Sequence, residues 1–305
     1  MLQRTRLLAQ SGDLHIAAAM GQLPNQALSL HRGTNAPRPS GSSALMTDTH
    51  LHWDETQLES ADPSQWDLRP EKFAHLDSLY LRCTQTRLPD TAQRKLLKIW
   101  CEVIPQLNIT SLTLATRTPQ GLVDAACQLS ELKHLHIGWG GTKTLEPIRN
   151  CQKLQSLQIN STPSLVGLEA LPSLQSLRKL KIENVRAAQD LEFVSEIKTL
   201  TEFGICGSMW TDQKVDTLRP LAKLQGLETL HLIATRILHE GLKPLHGMPN
   251  LRALHASFFY TASEFEALRS STPSLTSGTP FDTNGIEMWC RAGSSSEATP
   301  PRGAT

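Results

Sequence analysis

The chain has 305 residues, 30 basic against 29 acidic for a formal net charge of +1, with 39% hydrophobic and 5% aromatic side chains. Charges this evenly matched supply no overall field that would draw the chain to nucleic acid or to an anionic membrane. The six cysteines, at 83, 101, 127, 151, 206 and 290, stand singly, without the paired spacing of a zinc site or a dense disulfide framework, and so read as free thiols in a reducing compartment.

Residues 1–45 hold one acid, Asp13, and end in a Pro-, Ser- and Gly-rich stretch from Gly33 to Ser43. That composition buries too little apolar surface to repay ordering, so the segment is expected to be disordered. A secretion leader and a start at Met46 are its two other readings. The apolar pieces near the N-terminus are broken by Gln10, Asp13 and His15, unlike a secretory signal, and no run reaches the eighteen or so apolar residues of a membrane span. Residues 46–75 carry Trp53, Leu58, Trp66, Leu68 and Phe73, too loosely spaced for a repeat, and are expected to cap the first coil of a repeat array that begins at Leu76.

From Leu76 to Leu275 one phrase recurs, an apolar residue followed three and five positions later by two more. It starts at Leu76, Leu79, Leu81 and continues at Ile109, Leu112, Leu114. The excess length between those two units holds Leu96, Leu97, Ile99, Trp100, Val103, Ile104 and Leu107, which predict a helix over 91–107, broken at Pro105, with Trp100 packed beneath the first coil. The phrase then becomes regular: Leu132, Leu135, Ile137; Leu154, Leu157, Ile159; Leu177, Leu180, Ile182; Leu200, Phe203, Ile205; Leu227, Leu230, Leu232; and Leu251, Leu254, Ala256. These six units begin 22, 23, 23, 27 and 24 residues apart, which makes eight in all. Before each of them runs a stripe of apolar residues spaced by three, as in Leu168, Leu171, Leu174 into Leu177. That spacing predicts 3₁₀ turns or very short helices. Phe265, Leu268 and Leu275 close the last coil; residues 276–291, with Phe281, Ile286, Met288 and Trp289, are expected to form a second cap, and 292–305 a disordered tail.

The phrase and its period resemble the leucine-rich repeat family, in its short internalin-like bacterial and phosphatase-regulator-like class, over about 200 residues from Leu76 to Leu275. The resemblance implies an α/β repeat solenoid, with parallel strands on a concave face and short 3₁₀ or helical returns on the convex face, used for protein recognition. One departure stands out. The asparagine that usually follows each strand is here Arg117, Gly140, Thr162, Val185, Ser208, Thr235 or Phe259, so backbone groups in that turn must find Thr or Ser hydroxyls or water instead.

Alternation along a strand turns the residues between the leucines outward. The partner-binding candidates on that face are Tyr80, Arg82, His134, His136, Trp139, Gln158, Lys179, Lys181, Glu202, His231, His255 and Phe258. Aromatic and long basic side chains dominate interface energetics, which singles out Tyr80, Trp139, Lys179, Lys181 and Phe258, with Glu183 and Glu202 expected to reject acidic partners beside the lysines. His231 and His255 are expected to be neighbours on adjacent strands, with no acid in their own column, so no metal site is predicted. Cys206 falls on the outward column without a histidine on its strand, and Gly138 to Gly141 lacks a phosphate-loop lysine, so neither catalysis nor nucleotide binding is expected. The expectation is a monomeric, non-catalytic, cytoplasmic protein-binding module without a cofactor. A secreted effector-like repeat protein and a structural repeat without a dedicated partner are the alternatives.

Overall fold

The computed structural model describes residues 49–257 and 259–282, all within the unit Thr47–Thr305. The expectations for residues 1–45, for a start at Met46, for Ile286, Met288 and Trp289, and for the tail fall outside the described residues, as does Phe258.

Every recurrence of the phrase is a strand. The described residues form twelve strands in chain order, the eight recurrences being β2 to β7, β9 and β11: β1 (His50–Asp54), β2 (Ser78–Arg82), β3 (Ser111–Leu114), β4 (His134–Ile137), β5 (Ser156–Ile159), β6 (Lys179–Glu183) and β7 (Glu202–Cys206), then β8 (Gln213–Val215), β9 (Thr229–Leu232), β10 (Thr235–Ile237), β11 (Ala253–Ala256) and β12 (Ser277–Gly278). Ten of them form one sheet in the order β1-β2-β3-β4-β5-β6-β7-β9-β11-β12, with every pairing parallel. β8 and β10 pair apart from it. A parallel ladder of consecutive strands requires each connection to cross back over one side of the sheet, and this arrangement is the leucine-rich repeat solenoid.

The returns are as short as the spacing by three implies. 3₁₀ turns span Glu146–Asn150, Leu168–Ser173, Arg219–Lys223 and Lys243–Leu245, while α2 (Gln120–Ala126) and α3 (Glu192–Ser195) serve the remaining coils. The stripes and the strand leucines close one continuous core: Ile148, Leu157, Leu171, Leu180, Val194, Phe203, Leu221 and Leu230 are all at most 1% exposed. The coils are also joined at the entry to each strand, where one carbonyl accepts two amides from the next coil. Thr110 O takes Lys133 N and His134 N, Lys133 O takes Gln155 N and Ser156 N, and Gln155 O takes Arg178 N and Lys179 N, at 2.8–3.0 Å.

The longer first return is α1 (Asp90–Val103), extended by a 3₁₀ turn over Ile104–Gln106, so Pro105 ends the α-helical geometry without stopping the chain's turn. Trp100 is fully buried beneath the first coils, edge-on to Trp53 at 4.9 Å and tilted against Phe73 at 5.3 Å. Its buried indole N–H has no hydrogen-bond partner among the described residues. At the other end α4 (Ala262–Ser271) opens with a capping box between Thr261 and Glu264 and buries Phe265 and Leu268.

Threonine takes over the asparagine's task. Thr162, which stands at that position, donates to the Asn160 carbonyl at 2.8 Å, and Thr235 to the Ile205 carbonyl at 2.6 Å. Elsewhere the hydroxyl arrives one or two residues late: the buried Thr118 donates to the Thr116 carbonyl, and the buried Thr142 to the Thr118 carbonyl, both at 3.0 Å. Where Val185 has no polar atom to offer, its own amide donates to the buried Gln213 side chain at 3.1 Å. Among the described residues no helix is long and apolar enough to cross a membrane.

Candidate functional site

The register brings the sequence candidates into straight rows across the sheet's open face. Tyr80, Thr113, His136, Gln158, Lys181, Gly204, His231 and His255 are successive partners in one row, and His52 of β1 extends it. A second row runs from His50 through Ser78, Ser111, His134, Ser156, Lys179 and Glu202 to Thr229. Tyr80, Arg82, His134, Lys179 and His255 are exposed, and His136, Gln158, Lys181, Glu202 and His231 are partly covered by their neighbours.

Two clusters stand out on this face. At its N-terminal end His52 stacks on Tyr80 with ring centres 4.6 Å apart. Toward the C-terminal end His231 and His255 stack at 4.9 Å, as strand adjacency predicts. An acid does stand beside this pair, reaching in from the adjoining row: a Glu202 carboxylate oxygen lies 3.4 Å from His231 Nε2, while the other lies 3.0 Å from Lys179 Nζ. The His231 hydrogen bond and the Lys179 ammonium hold the Glu202 carboxyl at about 2, well below the usual carboxylate range, so it stays ionised in any ordinary medium. Gly204 makes room for the arrangement, because a Cβ there would sit 3.1 Å from Lys181 Cγ and 3.5 Å from His231 Cβ. Three groups are still needed for a metal, and among the described residues no His, Cys, Asp or Glu cluster of that size is placed to hold one.

Trp139 leaves the end of β4 in a turn that fixes its backbone. Its carbonyl and that of Gly140 both accept the Thr118 amide, at 3.2 and 3.1 Å, and the Gly140 amide donates to Ser161 O. The indole itself is 45% exposed, so the side chain is presented on a rigid support.

Two expectations for this face need correction. Glu183 and Cys206 belong to the outward parity of their strands but are buried, at 7% and 1% exposure. Each stands at a strand's C-terminal end, where the next segment folds over it: Asn184 turns with φ of 48° and donates to Cys206 O, and Gly207 is held by Ile233 O. Burial raises the Glu183 carboxyl above its ordinary value and pushes the Cys206 thiol up to about 11. Cys206 is therefore neither accessible nor a thiolate, and it is no nucleophile. Glu183 is covered, and Glu202 is matched by Lys179 and His231.

Sequence reasoning missed a further exposed feature. The 27-residue unit spends its extra length on a turn in which the Ser208 hydroxyl accepts the Trp210 and Thr211 amides, leaving Met209 and Trp210 at 67% and 79% exposure. The lengthened spacing between Leu200 and Leu227 was the available signal. Nearby, the Arg236 guanidinium lies 4.2 Å above the Phe259 ring.

The thiols supply a direct check on this packing. Cys83, Cys127, Cys151 and Cys206 are buried, and Cys101 is intermediate. Brief iodoacetamide treatment of the native protein is expected to alkylate Cys101 alone among these five, with the other four reacting only after denaturation. Peptide mass spectrometry reads the result, and fast native labelling of Cys206 would show that its covering turn is open.

No protein-family model matches the chain, and no curated protein matches it. Among solved structures, an internalin from Listeria monocytogenes is similar at 18% identity and a TM-score of 0.49, over 70% of this chain and 56% of its own. A leucine-rich repeat protein from Leptospira interrogans is similar at 18% identity and a TM-score of 0.45, over 69% and 55%. A leucine-rich repeat-containing protein from Legionella pneumophila is similar at 13% identity and a TM-score of 0.45, over 83% and 92%. The chain thus spans little more than half the length of the first two.

Proposed function

We propose that this chain is a non-catalytic protein-binding module whose partner lies across the open face of the sheet. The observation that supports this most is the alignment of Tyr80, His136, Gln158, Lys181, His231 and His255 as one row over eight consecutive strands, on the side the returns leave uncovered. A surface built this way is long, shaped by the strand spacing and held rigid by the buried leucines beneath it, so a partner meets it already organised. Trp139 at its edge supplies a large apolar anchor, and Lys179 and Lys181 supply charge at its centre. We place the chain in a reducing, cytoplasmic compartment on the single, unpaired spacing of its six cysteines.

The test compares affinity capture from native cell extract by the intact protein with capture by Trp139→Ala, Lys179→Glu, Lys181→Glu combined. A second variant on the return side, Gln175→Ala with Gln225→Ala, serves as the control. All three side chains of the first set lie at the surface or partly so; the control is expected to keep the melting temperature of the parent, and the open-face variant, which sets a carboxylate at position 179 against Glu202, to melt somewhat lower while remaining folded at the assay temperature. The expected result is a partner retained by the parent and the control and weakened at least about tenfold by the open-face variant. Equal capture by all three would move binding off this face.

A further inference from the structure

The charges on the open face nearly cancel, and what remains is imidazole. Within the outward positions of the main strands the acids are Asp54, Glu202 and the covered Glu183, and the permanent bases are Arg82, Lys179 and Lys181, so the face carries at most one net positive charge before its histidines are considered. They are also matched in space. Asp54 is the register partner of Arg82, Lys179 is ion-paired to Glu202, and Lys181 and Glu183 share one face of β6 two residues apart. Six of the chain's eleven histidines occupy the same face: His50, His52, His134, His136, His231 and His255.

We propose that the open face is a pH-dependent docking surface for an acidic polypeptide segment, close to neutral at neutral pH and increasingly cationic as its histidines take up protons. The proposal rests on this face being the binding face and adds the chemistry of the occupant. Histidine is the side chain whose ordinary basicity falls between pH 5 and 8, and it is the commonest ionisable residue on this face. Charge complementarity then selects an acidic partner, since each proton gained adds attraction for carboxylates and disfavours a basic segment.

The surroundings of each histidine allow this. His50 faces Ser78, with its ring nitrogen 3.0 Å from the hydroxyl, and His52 faces Tyr80. His134 lies between Ser111 and Ser156, with no charged side chain beside it in the register. His231 has Glu202 on one side, with Lys179 beyond it, and His255 on the other. His136 lies between Thr113 and Gln158, with Asn160 and Lys181 near it; burial holds its basicity down, and it charges late. His255 is held below its ordinary value by burial and by His231. Among the acids, Glu202 remains ionised throughout, and Asp54 is kept low by its hydrogen bonds to Thr56. Neither cancels the protons gained. Glu183, raised by burial, shifts the total in the same direction if it titrates.

The experiment uses the full chain and fluorescein-labelled poly-aspartate as the probe, with polarisation measured at about pH 7.5 and about pH 5.5 in the same salt. Aspartate carboxyls stay ionised over this range, so any change in affinity belongs to the protein. The expected result is binding about tenfold or more tighter at the lower pH. The combined change His50→Gln, His134→Gln, His231→Gln keeps hydrogen-bonding capacity while removing the protons, and is expected to abolish most of that gain. The combined change His75→Gln, His239→Gln, His246→Gln, away from the face, is expected to leave it intact, with circular dichroism confirming that both variants fold. Acid-enhanced binding that survives the first variant, or is lost with the second, overturns the proposal; so does a probe that binds no better at the lower pH. Capture by the parent at neutral pH, lost in the Trp139 and lysine variant, would stand independently of that failure.

Discussion

Replacing Trp100 by alanine is expected to lower the unfolding free energy by about 3–5 kcal/mol, among the largest losses available to a single substitution in this chain. The ring is 0% exposed and is enclosed by Trp53, Phe73 and the strands of the first coils, so truncation removes its transfer free energy and leaves a cavity that a stacked sheet cannot readily close. The loss should also be local. Each coil contacts chiefly its neighbours, so amide hydrogen exchange should accelerate over β1 to β3 while β9 and β11 keep their protection. Urea denaturation gives the magnitude and exchange mass spectrometry the location. Tyr80→Ala, at an exposed site on the same coils, is the control and should cost about 1 kcal/mol or less. A Trp100→Ala loss no larger than that of Tyr80→Ala would mean the N-terminal packing is not as described.

Gly138→Ala is expected to cost about 3 kcal/mol and to displace Trp139. A Cβ at Gly138 would sit 2.1 Å from Thr116 O and 2.4 Å from Leu114 O, both backbone atoms of the neighbouring coil, so the strand end itself has to move. Gly140, two residues on, separates this clash from ordinary backbone preference. It has φ of 52° but nothing within 4 Å of an added Cβ, so Gly140→Ala carries only the left-handed penalty of about 1–2 kcal/mol. Thermal melts of the two variants give the contrast. The same two proteins carried into the capture experiment separate Trp139's position from overall stability: Gly138→Ala should weaken partner binding more than Gly140→Ala at temperatures where both are folded.

The resemblance, the eight repeat units and the return stripes were legible because each depends on a period, and a period survives in one dimension. Alternation within a strand and near-constant spacing between strands were enough to place His231 beside His255 and to line up the open-face row. The edge strands were not legible. β1 carries only Leu51 and Trp53 of the phrase, and at β12 Gly278 stands opposite Leu254, with Pro280 just beyond the strand, yet both strands pair in register because the neighbouring ladder supplies the partner.

The limits of the periodic rule fall where the strand ends. Parity places Glu183 and Cys206 on the solvent side, but the turn after each strand returns over it, and coverage depends on a segment that parity does not describe. The contact in which His231 Nε2 reaches the Glu202 carboxylate crosses between rows, so reading column by column overlooked it. The threonines that stand in for asparagine drift by one or two residues from coil to coil, since the requirement is for a hydroxyl near a carbonyl, which several backbone positions can satisfy.

By itself, then, the sequence determined the repeat, the stacking direction and which side chains compete for the open face, because hydrophobic burial depends on spacing alone. Only the tertiary structure decided which of those side chains solvent reaches, which charges neutralise one another and which tryptophan is presented on a fixed support. Those properties arise from contacts between coils more than twenty residues apart, and burial and electrostatics depend on distance in space rather than along the chain.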